Sequence, residues 1–334
     1  MRGMMSPRLL RRICLDVLQR TPTPAEVNAY ATADVAEVAR SLLGTQEAME
    51  VWLEEELFYF LLLDNFRPTN LAVLDLPRRL RLRQVDVRTA MGEILVSTGF
   101  TLRNPGNDTF VTVVLEQCLG LEVQDRRNTH VLEAGKRVYD GRSTRFLGGT
   151  GKTQVDVIKL TLADPRCTRH LLDRHHRRLF TAGLPAEAEA QVAAVHAAPA
   201  TFFDVLGGWL ASPRYADEQR MSRSLSHHQF ARSLYHDLLG RAPTYDEVRM
   251  TRNAMLAMAD PAPLRAVLVK IMLDSGKARL PVRGPAETDA AFVARCFATY
   301  LRRQPTADEA EAFAASPASR IVRALLTSTD YTTY

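Results

Sequence analysis

The stretch FLGGTGKTQVDVIKL, residues 146–160, holds the side chains and glycines best suited to chemistry. Glycines beside a lysine at the start of a helix can turn backbone amides toward an anion. A nucleotide-binding loop needs the pattern G-x-x-x-x-G-K-[ST], because its glycines let the backbone wrap phosphates while the lysine reaches the terminal ones. Gly151, Lys152 and Thr153 supply the end of that pattern, but Phe146 stands where the first glycine belongs. Such a loop also follows a buried strand, whereas the preceding KRVYDGRSTR is polar and basic. The spacing instead predicts a glycine turn, then a helix capped by Thr153 with Asp156 at its third position. The chemistry that survives is capture of a lone anion by Gly148, Gly149, Thr150, Gly151, Lys152 and Thr153, with Arg142 and Arg145 close in sequence.

The other reactive residue types do not fall into catalytic or metal-binding spacing. His175-His176 and His227-His228 are adjacent pairs, so neither pair shares one helix face, and HExxH and GxSxG are absent from the sequence. His228 and His236 can share a face, but a metal needs more ligands. Cys14, Cys118, Cys167 and Cys296 lie far apart without a CxxC and read as four buried free thiols. The expectation is a chain with no metal and no cofactor, and without enzymatic activity. Catalytic groups need not be close in sequence, so an enzyme of unread chemistry is a third alternative.

Charge is distributed unevenly. The net charge is +5, yet residues 126–159 carry Arg126, Arg127, Lys136, Arg137, Arg142, Arg145, Lys152 and Lys159 against Glu133, Asp140 and Asp156. With Tyr139 and Phe146 interleaved, this segment supports nucleic acid as an alternative partner. The stretch EAMEVWLEEELFYFLLLD, residues 47–64, is acidic and ends in a buried helix end. No run approaches the roughly 18 apolar residues of a membrane helix. No secretory leader is readable at the N-terminus, because Asp16 interrupts its apolar stretch. A cytoplasmic location is expected, or the cell envelope if a leader has been removed.

The elements that must carry these residues are helices, and one motif recurs. LDVLQRTPTPAEV, HDLLGRAPTYDEV and FATYLRRQPTADEA share an apolar helix ending in Arg, then x-Pro-Thr-x-x-Glu. Proline disfavours helical geometry in the residue before it, which ends the first helix. Thr and Glu three residues apart form a capping box that starts the second. The caps are Thr23 with Glu26, Thr244 with Glu247, and Thr306 with Glu309. Asp16 and Asp237 are expected to pair with Arg20 and Arg241 four residues on. Ser226 with Gln229 is a further box.

A degenerate fourth copy, HLLDRHHRRLFTAGLPAEAEAQV, keeps Pro185 and Glu187 but has Leu184 in place of the threonine. It is followed by LASPRY, which resembles LTSTDY in placing Tyr215 and Tyr331 three residues after serines.

Such units bury their apolar faces by stacking. The prediction is an all-α fold of stacked helical repeat units with an irregular basic insertion. Its segments are 1–63 (one unit), 64–165 (non-repeating and basic) and 166–334 (three tandem units). Within the insertion, the alternation Arg79-Leu-Arg81-Leu-Arg83 predicts a short strand or extended arm. VRTAMGEILVSTGF predicts a helix, and THVLEAGKRVYDG a helix stopped by Gly141. GNDTFVTVVLEQCLGL reads as a buried helix, or a strand at its Val-Thr-Val-Val.

RRICLDVLQRTPTPAEVNAY, then ARSLL and VWLEEELFYFLLLDNFRP, resembles an uncharacterised planctomycete domain often found beside cytochrome-c-like modules, over about the first 65 residues. The C-terminal units are similar to related uncharacterised secreted bacterial proteins. YHDLLGRAPTYDEV is also similar to a stretch of phycobilisome linkers, whose helical units bind partner proteins. The resemblance implies helices and no known reaction. Together the residues point to a scaffold or interaction protein that engages another protein or a second copy of itself. Binding of an anion or nucleic acid through residues 126–159 is the alternative.

Overall fold

The computed structural model describes residues 5–62, 70–217 and 223–334. The expected boundary at 63/64 falls outside them. The described chain is all-α. Its two strands, Thr144–Phe146 and Gly149–Gly151, form one antiparallel hairpin. Among the described residues no helix is long and apolar enough to cross a membrane.

The chain divides into two compact units at points other than the sequence segments 1–63, 64–165 and 166–334. One unit joins Met1–Leu42 to Ala211–Tyr334, and the other is the continuous Leu43–Leu210. The division follows long-range burial. Leu15 belongs to the same core as Phe230, Leu234, Phe292, Val322 and Tyr331, far away in sequence.

In the discontinuous unit the same turn forms three times. Gln19, Gly240 and Arg302, each just before the motif arginine, take left-handed backbone with φ of 53°, 62° and 59° and end the first helix. Thr23, Thr244 and Thr306 then cap the second helices, and Glu26, Glu247 and Glu309 return to the cap amides as full capping boxes. Each glutamate also takes a two-pronged bond from its arginine. The distances are 2.8 and 2.9 Å for Arg20, 2.8 and 2.7 Å for Arg241, and 2.7 and 2.6 Å for Arg303. The same arginines donate to the carbonyl of the next residue, at 3.0, 2.9 and 3.0 Å.

The expected Asp237–Arg241 pair is therefore corrected. Arg241 serves Glu247, while Asp237 turns inward to Thr21 Oγ1 at 3.0 Å and the Tyr331 hydroxyl at 2.8 Å. The Ser226–Gln229 box is present, and Ser212 and Ser328 accept from the amides of Tyr215 and Tyr331.

The continuous unit contains the helices Gln46–Leu61, Asn107–Leu119, Thr129–Tyr139, Gln154–Ala163 and Pro165–Phe180, with the hairpin packed on the third and fourth. The alternation at 79–83 is not a strand. Leu76–Arg81 is a helix, because Leu76 and Leu80, four apart, are buried on one face. Its polar face is fixed by Asp75–Arg78 and by a two-pronged Arg79–Glu93 bond at 2.7 and 2.8 Å. VRTAMGEILVSTGF breaks into Val87–Leu95 and Thr98–Arg103, since Ser97 caps the second. GNDTFVTVVLEQCLGL is the helix Asn107–Leu119, stopped by Gly120 at φ 64°. In the degenerate copy, Pro185 leads into a short 3-10 turn and then Glu189–Ala197, without a side-chain cap.

Candidate functional site

The glycine-rich stretch folds as a hairpin. Leu147 and Gly148 take φ of 48° and 83°, so both central residues have positive φ, as a tight two-residue hairpin turn requires. Gly149 and Gly151 are explained by close packing. A Cβ on Gly151 would lie 2.7 Å from Asp156 Cβ and 3.0 Å from Val138 Cγ1, and one on Gly149 would lie 2.4 Å from Leu160 Cδ2.

Thr153 caps the following helix by accepting the Asp156 amide at 3.1 Å, and the Asp156 carboxylate takes the Lys152 amide at 2.9 Å. The Lys152 amide first, and the Thr153 side chain after it, hold the Asp156 carboxyl below its ordinary value. The donors expected to cradle an anion are thus partly spent on a carboxylate already there. An anion approaching Gly148–Thr153 would meet the Asp156 carboxylate beside it. Thr150 is exposed opposite Arg145 in the strand pair, and Arg142 and Lys152 are exposed.

Arg145 belongs instead to a groove of about 310 Å³ beside the hairpin. Val131 and Ala134 of the helix Thr129–Tyr139 line one side, and Phe146 and Leu147 another. Arg145 and His130, both exposed, and Arg166 also line it. Arg166 is tied to Asp164 by two bonds of 2.9 and 2.8 Å. Arg145 has no acidic partner among the described residues.

Two buried polar networks escaped the sequence reading. In the discontinuous unit, Asp16 accepts from the hydroxyls of Tyr215 at 2.6 Å and Tyr334 at 3.0 Å, with Arg12 at 3.7 Å. Arg12 also lies over the Tyr215 ring, 4.1 Å from its centre. Asp237 repeats the pattern with Tyr331 and with Arg302 at 3.8 Å. Burial pushes the Asp237 carboxyl up, and burial beside the carboxylates pushes Tyr215 and Tyr331 well up. The shared Ser-x-x-Tyr spacing of LASPRY and LTSTDY was the only available signal, and the role of each tyrosine is to satisfy a buried carboxylate.

In the continuous unit, burial would push the Glu56 carboxyl up. Arg174, at 2.8 and 2.7 Å, and His175, at 3.4 Å, outweigh burial and hold it well below the usual range. Arg174 lies 3.9 Å over the Tyr59 ring, and the Tyr59 hydroxyl reaches Gln117 O and His170 Nε2. His176 does not join His175. Its Nδ1 meets Ala182 O at 2.8 Å.

All four cysteines are buried free thiols. Cys118 and Cys167 are neighbours, and the hydrogen bond to Cys167 with burial raises the Cys118 thiol well above its ordinary value. Among the described residues no three His, Cys, Asp or Glu side chains gather closely enough to hold a metal ion. The networks are internal braces, and the groove at Arg145 is where charged groups meet an open apolar surface. Compared with family models, with curated proteins and with solved structures, the chain matches none.

Proposed function

We propose that the chain is a non-enzymatic interaction protein whose helical surfaces engage another protein. One observation carries this reading. The helix Ala262–Asp274, APLRAVLVKIMLD, seats Val269 in the core with Leu264, Leu268, Met272 and Leu273 packed half-buried around it, yet it leaves further apolar residues outside. Val267 and Ile271, four residues apart on one side, are 48% and 59% exposed. Two large aliphatic side chains exposed together on a helix whose opposite side already fills the core, flanked by the ion-paired Lys270 and Asp274, have the composition of an interface with a polar rim. The motif residues add support. Arg, Thr and Glu bond to one another within each turn, which accounts for them without chemistry. The likeness of YHDLLGRAPTYDEV to partner-binding linker units points the same way.

The test uses Val267→Glu with Ile271→Glu in the full chain. Wild-type protein drawn from its native host should carry a second protein at fixed ratio, or form a dimer whose population rises with concentration. The double variant should release it while keeping its helical circular dichroism. Identical, partnerless monomers for both proteins would sink the reading.

The second reading, an anion or nucleic-acid binder through residues 126–159, is favoured by Arg126, Arg137, Arg142, Arg145 and Lys152. None of these has an ion-pair partner among the described residues. It loses its aromatics, however. Phe146 is 2% exposed, and Tyr139 packs on Phe110 with ring centres 5.3 Å apart, so neither ring presents a platform for a base.

A further inference from the structure

We propose that the groove beside the hairpin docks an acidic segment of the partner protein, with one apolar side chain in the groove and a neighbouring carboxylate on Arg145. The inference rests on the interaction reading and names the chemistry of what is bound. Three observations carry it. The groove, about 310 Å³, has room for a large side chain, and Val131, Ala134 and Leu147 give it an apolar lining. Arg145 sits at that lining, exposed, with no acidic partner among the described residues. His130 adds a second donor, whereas Arg166 is neutralised by Asp164 and contributes shape.

A guanidinium beside an apolar slot matches a carboxylate in two-pronged geometry with a hydrophobic residue next to it. The nearby cations Arg142 and Lys152 bias the approach toward negative charge at low salt. A nucleic acid would meet the same cations but would leave the apolar lining unused, since Phe146 is buried and has no face to offer a base.

The experiment uses the full chain and fluorescence anisotropy with three probes. One is a labelled peptide of alternating glutamate and leucine, the second is the same peptide with lysine for glutamate, and the third is a single-stranded oligonucleotide of matched negative charge. The acidic peptide should bind, weaken with salt, and resist competition by the oligonucleotide. Arg145→Glu should weaken it by about tenfold or more, Arg145→Gln by less, and Ala134→Trp, which fills the groove, by a similar factor. Both Arg145 variants change an exposed side chain, so an unchanged thermal melt confirms folding.

The proposal is overturned if the acidic peptide fails to bind at about millimolar concentration. It is also overturned if binding ignores both Arg145→Glu and Ala134→Trp, or if the oligonucleotide binds more tightly. A fixed-ratio partner that survives Arg145→Glu but is lost with Val267→Glu and Ile271→Glu would remove the groove and leave the interaction reading standing.

Discussion

Arg20, Arg241 and Arg303 make the same bonds at three depths, with side chains 6%, 47% and 34% exposed. Their context decides what the bonds are worth. An exposed pair is screened by water and contributes little, whereas removing one partner of a buried pair strands the other. Arg20→Ala should therefore cost about 3 kcal/mol of unfolding free energy, through Glu26 and the carbonyl of Thr21 left behind. Arg241→Ala should cost less than about 1 kcal/mol. Arg303→Ala should fall between them, since Arg303 also holds Asp330 at 2.6 Å. Urea unfolding of the three variants measures the order, and equal costs would refute the burial argument. The capping residues were legible in the sequence because Thr and Glu three apart have one local explanation. The arginine's role was hidden, because its partner lies six residues on, across a turn whose closure depends on left-handed backbone at Gln19, Gly240 or Arg302.

At the scale of elements, FLGGTGKTQ shows how one sequence signal serves two structures. Glycines let a backbone wrap phosphate, and they equally let a hairpin lie flat on a helix. The cap at Thr153 was legible, whereas the hairpin was not, because three-residue strands have too few side chains to show a period. Substitution distinguishes the two roles. Gly151→Ala should destabilise by about 1–3 kcal/mol through overpacking on Asp156 and Val138. Gly148→Ala, with open space around it but φ at 83°, should cost about 1–2 kcal/mol. Thermal melts without ligand measure both, and no loss for Gly151→Ala would return this stretch to the status of an unexplained loop. The Arg79–Arg83 alternation misled for a related reason. Its period of two came from polar-face arginines, of which Arg79 pairs with Glu93 and Arg81 bonds Gln46, while Leu76 and Leu80 carried the burial.

For the whole molecule, the all-α class was readable from capping boxes and helical spacing, and the division into units was not. A contact such as Thr21 N to Ser233 Oγ at 3.1 Å, or Gln229 Nε2 to Leu15 O at 3.0 Å, joins residues with no local relation in the sequence. Arg11 likewise donates to the carbonyls of Tyr331 and Thr333. The division predicts an asymmetry. Residues 43–210 made alone should fold into a cooperative helical protein, because they form one continuous compact unit. Residues 211–334 made alone should melt at lower temperature or fail to fold, because Leu15, Thr21 and Arg11 complete their core and tail. Circular dichroism melts of the two fragments check this, and equal cooperativity would contradict it.

The discontinuous unit also sets an order of events at the ribosome. The helix Pro7–Leu18 is synthesised before all of Leu43–Leu210, and its packing partners in His227–Leu239 and Asp289–Leu326 emerge after it. At roughly 5–20 residues per second, the apolar face of that helix waits for tens of seconds before its native neighbours exist. Leu43–Leu210 can complete its own core in that interval. The first helix of the chain is thus among the last to be seated, and its exposed face during the wait is the natural target for a chaperone or for misassembly between two nascent copies.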